Sequence, residues 1–348
     1  MKRYRPSSSP KRAVDDQLLY VGKPGHMFVY ILAGHIFATP CIYIAMRKPI
    51  FLLSILVLAG WLGLSVVEQA QAASSEHRPV CSPDGSRLVY MMKSERTDGD
   101  WELYQLVFST QNKNRLTKHK GWDGYAVWSP DSRSIIYDRE DEPDGQKQPW
   151  IMNLDDYSSR QIGSFEGWLS VSDWSEQHKL LAFHEIEGQR DLVLLDLDGN
   201  ILEKITDTSD HNEHDAHFSP DGTKIAYANG EIDGSETSLE LVDLNTGDKA
   251  VLRTSIGRIY GLSWSPDGKK IAFVDAPDGE DDDADIFLYD FADQSFHQLT
   301  NDPAWDHMPE FCGSNHTLFF TSYRSGEERI YQVDPDPGPF LSIKRSQD

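Results

Sequence analysis

Short runs in which apolar and polar residues alternate recur along this chain, each bounded by turn-forming residues. "KIAFVD" at Lys270–Asp275 alternates with the period of a half-buried strand, and "DIFLYDF" at Asp285–Phe291 gives a second β-rich run. Ahead of the first run stands Ser265-Pro266-Asp267-Gly268. Its proline pre-sets φ, its Asp bonds the local backbone, and its Gly is free to take positive φ. Ser295–Thr300 closes the unit, and its "QLT" matches "RLT" at Arg115–Thr117 and "KIT" at Lys204–Thr206. A glycine-bearing loop separates the middle strands of every copy, at Gly99, Gly145, Gly188, Gly234, Gly279 and Gly326.

The whole pattern occurs six times. Its anchor residues are Cys81, Trp128, Trp174, Phe218, Trp264 and Phe311, at spacings of 47, 46, 44, 46 and 47 residues. The third copy (Ser175-Glu176-Gln177-His178) and the sixth (Cys312-Gly313-Ser314-Asn315) have lost the turn signature but keep apolar runs, at Lys179–His184 and Thr317–Ser322. Each copy therefore predicts four short antiparallel strands, the first running into the anchor. A lone sheet of that size exposes both faces and must stack on its neighbours. A period near 45 residues with four strands per unit is that of propeller blades. The fold class predicted is all-β, a six-bladed β-propeller over residues 73–348. Its blades lie at about 73–117, 118–163, 164–207, 208–253, 254–300 and 301–348, the last with only Phe340–Ile343 as a fourth strand.

At "WSPDGKKIAF" and the trailing "QLT" the chain resembles the TolB-type repeat, also described as the WD40-like or PD40 repeat, of periplasmic six-bladed propellers. The resemblance covers roughly residues 73–335, with four copies matching well and two loosely. It implies a rigid ring in the periplasm. TolB proteins place an α/β domain ahead of the propeller, which contributes to Tol–Pal partner contacts. Nothing of that size stands between the apolar segment and the first blade here, so the resemblance extends to the propeller alone.

The N-terminal region sets the expected compartment. Arg47 and Lys48 precede an apolar run from Ile50 to Leu64, and Ala70-Gln71-Ala72 follows. These are the three parts of a secretory signal peptide spanning 46–72, with cleavage after Ala72. Residues 1–45 then read as an upstream extension, Met46 being the initiator. The alternative treats Phe28–Ala45 as a further apolar stretch and the propeller as membrane-tethered.

Charge narrows the partners. The chain carries a formal charge of −23, and residues 73–348 alone carry 25 basic against 53 acidic side chains. Such a surface repels nucleic acid and anionic lipid, leaving protein or peptide partners, cationic ones among them. Cys81 and Cys312 fall in the first and last blades, which adjoin when a ring closes. On opposite blade faces they are placed for a disulfide across the closure.

Aligning the copies exposes candidate site residues. Five residues before the anchors stand Glu76, Asp123, Leu169, Glu213, Ile259 and Asp306. Their neighbours include His77, His214 and His307 on one side and Trp122, Trp168 and Trp305 on the other. Leading into the innermost strands, these residues are expected to crowd one mouth of the central channel. Carboxylates, imidazoles and indoles together suit a cationic peptide, a sugar ring or a divalent ion, although no cofactor motif is present.

Three other patterns carry less. Asp281, Asp283 and Asp285 lack the glycine of a calcium loop, Ile286 standing in its place. His211, His214 and His217 would point to different faces of a strand. No G-x-S-x-G elbow supports a hydrolase. The reading is thus an exported, non-catalytic binding module acting through its loops and channel mouth. The alternative is a propeller-type polysaccharide lyase, similar to oligogalacturonate lyases, with a metal site at His77, His214 and His307 and positive charge from Arg78 or Arg258.

Overall fold

The computed structural model describes residues 29–32, 35–38, 74–94, 100–140, 145–177, 179–232, 236–277, 284–313, 317–335 and 344–345. Residues 46–72, expected from sequence to be a signal peptide, Asp281, Asp283 and Phe340–Ile343 lie outside the described residues. The chain divides into two compact units, Met1–Glu68 and Gln69–Asp348. In the first, Val29–Leu32 and His35–Ala38 pair as an antiparallel hairpin. Among the described residues no helix is long and apolar enough to cross a membrane.

The second unit is a ring of six four-stranded antiparallel sheets, each built from four consecutive strands. The first strands of the blades, which line the axis, are Ser74–Cys81, Asp123–Trp128, Trp168–Trp174, His211–Phe218, Arg258–Trp264 and Asp306–Cys312. Every anchor ends, or in blade 6 nearly ends, such a strand. Blade 3 keeps all four strands despite its degenerate turn. In blade 6 the fourth strand is Lys344–Arg345, paired with Tyr331 and Gln332.

The repeated residues explain the repeated shape. In blade 1 the Ser82 hydroxyl donates to Asp84 at 2.6 Å and accepts from the Arg87 amide at 3.0 Å, closing the turn; Asp84 also accepts from the Ser86 amide. The same bonds recur at Ser129–Asp131, Ser219–Asp221 and Ser265–Asp267. The turn needs a left-handed residue, met by Gly85, Gly222 and Gly268 and in blade 2 by Ser132 at φ 60°. The threonine of the closing "LT" has an equally defined task. Thr117, Thr206 and Thr300 accept from the amides of Leu103, Leu192 and Ile286 at 2.8–2.9 Å, tying each blade's last segment to its third strand.

Between blades the packing is apolar, and it is stitched at the anchors. Interior clusters span blade pairs, as in Val89, Leu103, Trp128, Ile135 and Tyr137 between blades 1 and 2. The Trp128 indole N–H donates to the Val80 carbonyl of the preceding blade at 3.0 Å, and Trp264 does the same to His217 at 3.2 Å. Elsewhere the side chain before one anchor accepts from the next anchor's amide: Asp173 from Phe218, Ser263 from Phe311, and Glu310 from Cys81.

The last of these bonds closes the ring. Cys81 and Cys312 meet there in disulfide-bonded contact, with Cα atoms 5.4 Å apart across 231 residues of sequence. That separation lies within the range a disulfide spans. Leu88, Tyr90, Phe319 and Ile330 pack around the pair.

Trp128 is 4 % exposed and holds both a cluster and an inter-blade hydrogen bond. Trp128→Ala should therefore cost about 3–5 kcal/mol in unfolding free energy by denaturant titration. A loss below about 1 kcal/mol would show that the anchor does not carry the blade contact.

Candidate functional site

Each inner strand carries a β-bulge on its way to the anchor. In five blades the residue three before the anchor adopts positive φ: Arg78, Tyr125, Asp215, Gly261 and Met308, between 46° and 60°. Left-handed backbone is costly for every residue here except glycine, and it recurs where the strands approach the axis. The bulge turns these side chains into the channel.

Arg78 and Asp215 consequently meet across it. Their blades are three apart in a ring of six, and a guanidinium nitrogen of Arg78 lies 3.7 Å from Asp215 Oδ1. Arg78 also reaches the Met308 sulfur at 3.6 Å and stands 4.6 Å over the Tyr125 ring. Asp215 accepts from the Gly261 amide and bonds His214, each at 3.1 Å. Burial would raise the Asp215 carboxyl, but the His214 bond, Arg78 and the Gly261 amide outweigh it and hold it far below the ordinary carboxylate range. The Asp215 carboxylate of this strut is therefore ionised throughout the physiological range.

Two basins flank the strut. The one at the beginnings of the inner strands has a volume of about 410 Å³ and walls that include Tyr125, Trp168, Arg190, Tyr260, Trp305 and His307. The other, about 550 Å³, lies on the side of the Ser-Pro-Asp-Gly turns and contains Asp173, His217 and Glu310. Burial pushes Glu310 up to about 7, against the pull of His217 and its own hydrogen bonds. Burial lowers the His217 imidazole, but Asp173, 3.8 Å away, and the charge of Glu310 raise it overall. Of these positions the sequence singles out only His217, as part of a histidine triplet, and neither Asp173 nor Glu310. The available signal was a polar residue immediately before the anchor where other copies carry Val80 and Val127.

The acids expected to crowd the mouth do not line it. Glu76, Asp123, Glu213 and Asp306 are 0–4 % exposed and turned into their blades. Glu76 pairs with Lys113 at 3.7 Å, Asp123 with Arg139 at 3.0 Å and Asp306 with Arg324 at 2.7 Å, while Glu213 accepts from Thr208. They hold strands and loops together. A cationic ligand drawn by a ring of mouth carboxylates is thereby corrected: the groups at this basin are chiefly aromatic rings and the cations Arg78, Arg190 and Arg258.

The tryptophans and histidines fall into separate groups. Trp122 and Trp168, with Tyr125, surround the Lys147 ammonium at 3.8, 5.4 and 5.7 Å respectively for Trp122, Trp168 and Tyr125. Beside them the Trp168 indole donates to the wholly buried Asp138, whose other oxygen has no hydrogen-bond partner. Burial drives Asp138 up to about 7 despite bonds from Ser170 and Trp168 and the nearby Lys147 charge. On the opposite wall Trp305 stacks on His307 at 3.9 Å and donates to the Tyr260 hydroxyl at 2.8 Å. His77 and His307 come together, with ring centroids 5.0 Å apart. His214 stays with Asp215, His217 lies in the other basin and His211 bonds Asp210, so the sequence triplet does not converge.

With this geometry in view, the likeness to known proteins has a definite place. The family described as PD40, the TolB beta propeller domain, matches residues 65–216 and 214–346. The chain belongs to that family. The Tol-Pal system protein TolB of Francisella tularensis is 24% identical over 198 residues, covering 56% of this chain and 44% of that protein. The chain thus spans less than half the length of this curated relative. Among solved structures, TolB from Acinetobacter baumannii matches with a TM-score of 0.58 at 18% identity, over 79% of this chain and 64% of that one. An oligogalacturonate lyase in complex with manganese matches at 0.51 and 16% identity, over 74% and 90%. At such identities the structural likeness concerns the fold alone.

Asp138 provides a pH test. Its carboxyl is raised in the folded protein, so between about pH 4 and pH 7 the native state holds a proton that the unfolded chain releases. The group's contribution to stability is therefore present below about pH 4 and is lost as pH rises through 7. Asp138→Asn, which stays neutral, should gain stability relative to the unsubstituted protein between pH 5 and pH 8, read from denaturant midpoints. A difference between the two proteins that does not change with pH would contradict the assignment.

Proposed function

We propose that this chain is an exported, non-catalytic propeller that takes an extended segment of a partner protein into the aromatic basin at the channel mouth. The observation carrying this reading is the Arg78–Asp215 strut, which makes that basin a blind socket instead of a pore. A socket walled by Trp168, Tyr125 and Tyr260, with Arg190 and the exposed Arg258 at hand, suits an apolar or aromatic side chain. The arginines supply donors for main-chain carbonyls or a carboxylate. A fixed frame with variable loops supports such a role. Membership of a family whose curated relatives include Tol-Pal system proteins supports a protein partner over a small metabolite. Export rests on the signal-peptide pattern of residues 46–72. The net negative charge of the outer surface makes basic patches on the partner favourable outside the socket.

A second reading, the lyase, draws on one observation, the meeting of His77 and His307 beside Glu328. It predicts unsaturated-uronide absorbance when the protein is incubated with pectic polymers. The binding reading predicts none.

Photo-crosslinking residues placed at Arg258, on the mouth, and at Gln177, on the opposite rim, test the proposal in cells. Adducts with one partner are expected from position 258 only. Trp168→Ala should weaken retention of that partner by about tenfold or more, as for a buried aromatic anchor. Equal capture from both ends, or retention indifferent to Trp168, would refute a socket at the mouth.

A further inference from the structure

His77, His307 and Glu328 meet where blade 6 closes on blade 1, at one wall of the aromatic socket. His77 Nδ1 lies 3.1 Å from Glu328 Oε1, and His307 Nε2 lies 3.6 Å from the same oxygen. The three ligand atoms all lie within 4.8 Å of one another. Around a divalent ion with bonds of about 2.0–2.2 Å, neighbouring ligand atoms stand about 3.0–3.5 Å apart. The spacing therefore leaves room for one ion at their centre after small side-chain adjustments.

The second observation is the state of His307. It is wholly buried, yet neither ring nitrogen has a hydrogen-bond partner. An imidazole buried with both nitrogens unsatisfied forfeits solvation that most native groups recover through a partner. A metal ion would satisfy one nitrogen directly.

The surroundings fix the rings as second partners fix ligands in metal sites. Trp305 stacks on His307 at 3.9 Å and on Tyr323 at 5.5 Å, and Trp101 tilts against His77 at 5.6 Å. The adjoining backbone is also held, the Glu76 amide donating to the Glu328 carbonyl at 3.1 Å. Of the cations close by, Arg78 is paired with Asp215, and Arg329, which donates to the Glu328 carbonyl, is paired with Glu327.

We propose that His77, His307 and Glu328 form a binding site for a single divalent ion of the zinc type, with an open coordination position facing the socket. Two imidazoles and one carboxylate suit Zn²⁺, Co²⁺ or Mn²⁺ better than the all-oxygen preference of Ca²⁺ and Mg²⁺. Three protein ligands leave a fourth place, and both histidines line the socket wall. The ion would join blade 6 to blade 1 and present a Lewis-acidic centre to an oxygen of whatever enters the socket. The site stands apart from the peptide-binding reading, because it is defined without a partner.

The test uses the full chain after chelator stripping. Zn²⁺ titrated into the protein by calorimetry should bind one ion per chain and raise the melting temperature by several degrees. His307→Ala, His77→Ala and Glu328→Gln should each weaken binding by about 100-fold or more. His297→Ala, on an exposed outer strand, should leave it unchanged. Glu328→Gln preserves side-chain shape, and melting curves recorded without metal separate lost ligation from lost folding. Absence of a one-to-one site up to millimolar Zn²⁺ would overturn the proposal. So would a site of undiminished affinity in both folded Glu328→Gln and His307→Ala. Since no partner is present, either result leaves the socket's peptide role to be judged on its own test.

Discussion

A four-stranded sheet of some forty residues has two apolar faces and no means of covering either by itself. Everything else in this propeller answers that constraint. Each blade supplies one face to the blade before and one to the blade after, and at five of the six seams hydrogen bonds among the described residues join the innermost strands at the anchor position. Indoles do this from blade 2 to blade 1 and from blade 5 to blade 4. Asp173, Ser263 and Glu310 do it at three other seams, by accepting the next anchor's amide. The chemistry differs from seam to seam while the geometry is kept, which is why the anchors can vary among Trp, Phe and Cys without loss of the ring.

The ring was plain in the sequence because its determinants are local. A serine, an aspartate and a left-handed residue form the turn by bonds that span five residues, so the signature must be written within those five. The closing threonine bonds a strand fourteen residues upstream at a fixed offset, and it too leaves a visible trace. The site was less legible. Acids aligned five residues before the anchors were read as mouth residues because they lead into the inner strand, and alternation alone cannot reveal the bulge that follows. That bulge passes the axis-facing role to Arg78, Tyr125, Asp215 and Met308, while Asp123 and Asp306 turn to the arginines of their own blades. Glu328 escaped notice for another reason. It lies on a loop beyond the second strand and joins His77 only through ring closure, 251 residues away in sequence.

The same bulges connect fold to function. By carrying a basic and an acidic residue to opposite sides of one channel, they divide it and give the two ends different characters. One end is an aromatic socket with arginines at its wall, and the other an acidic basin whose Glu310 carboxyl is pushed up to about 7 by burial. Because the strut joins blades 1 and 4, the socket floor depends on the ring being complete. The histidine–glutamate cluster depends on the same closure, since its ligands come from the first and last blades. Fold, socket and proposed ion site therefore share a single requirement, that blade 6 lies against blade 1.

Disulfide mapping tests that requirement most directly. Protein handled under oxidising conditions, alkylated without reduction and digested, should yield one linked peptide pair containing Cys81 and Cys312, formed within a single chain. Such a link joins residues 231 positions apart and requires the terminal blades to adjoin. Recovery of both cysteines as freely alkylated thiols after mild oxidation of the native protein would contradict the closed ring, as would links formed only between molecules.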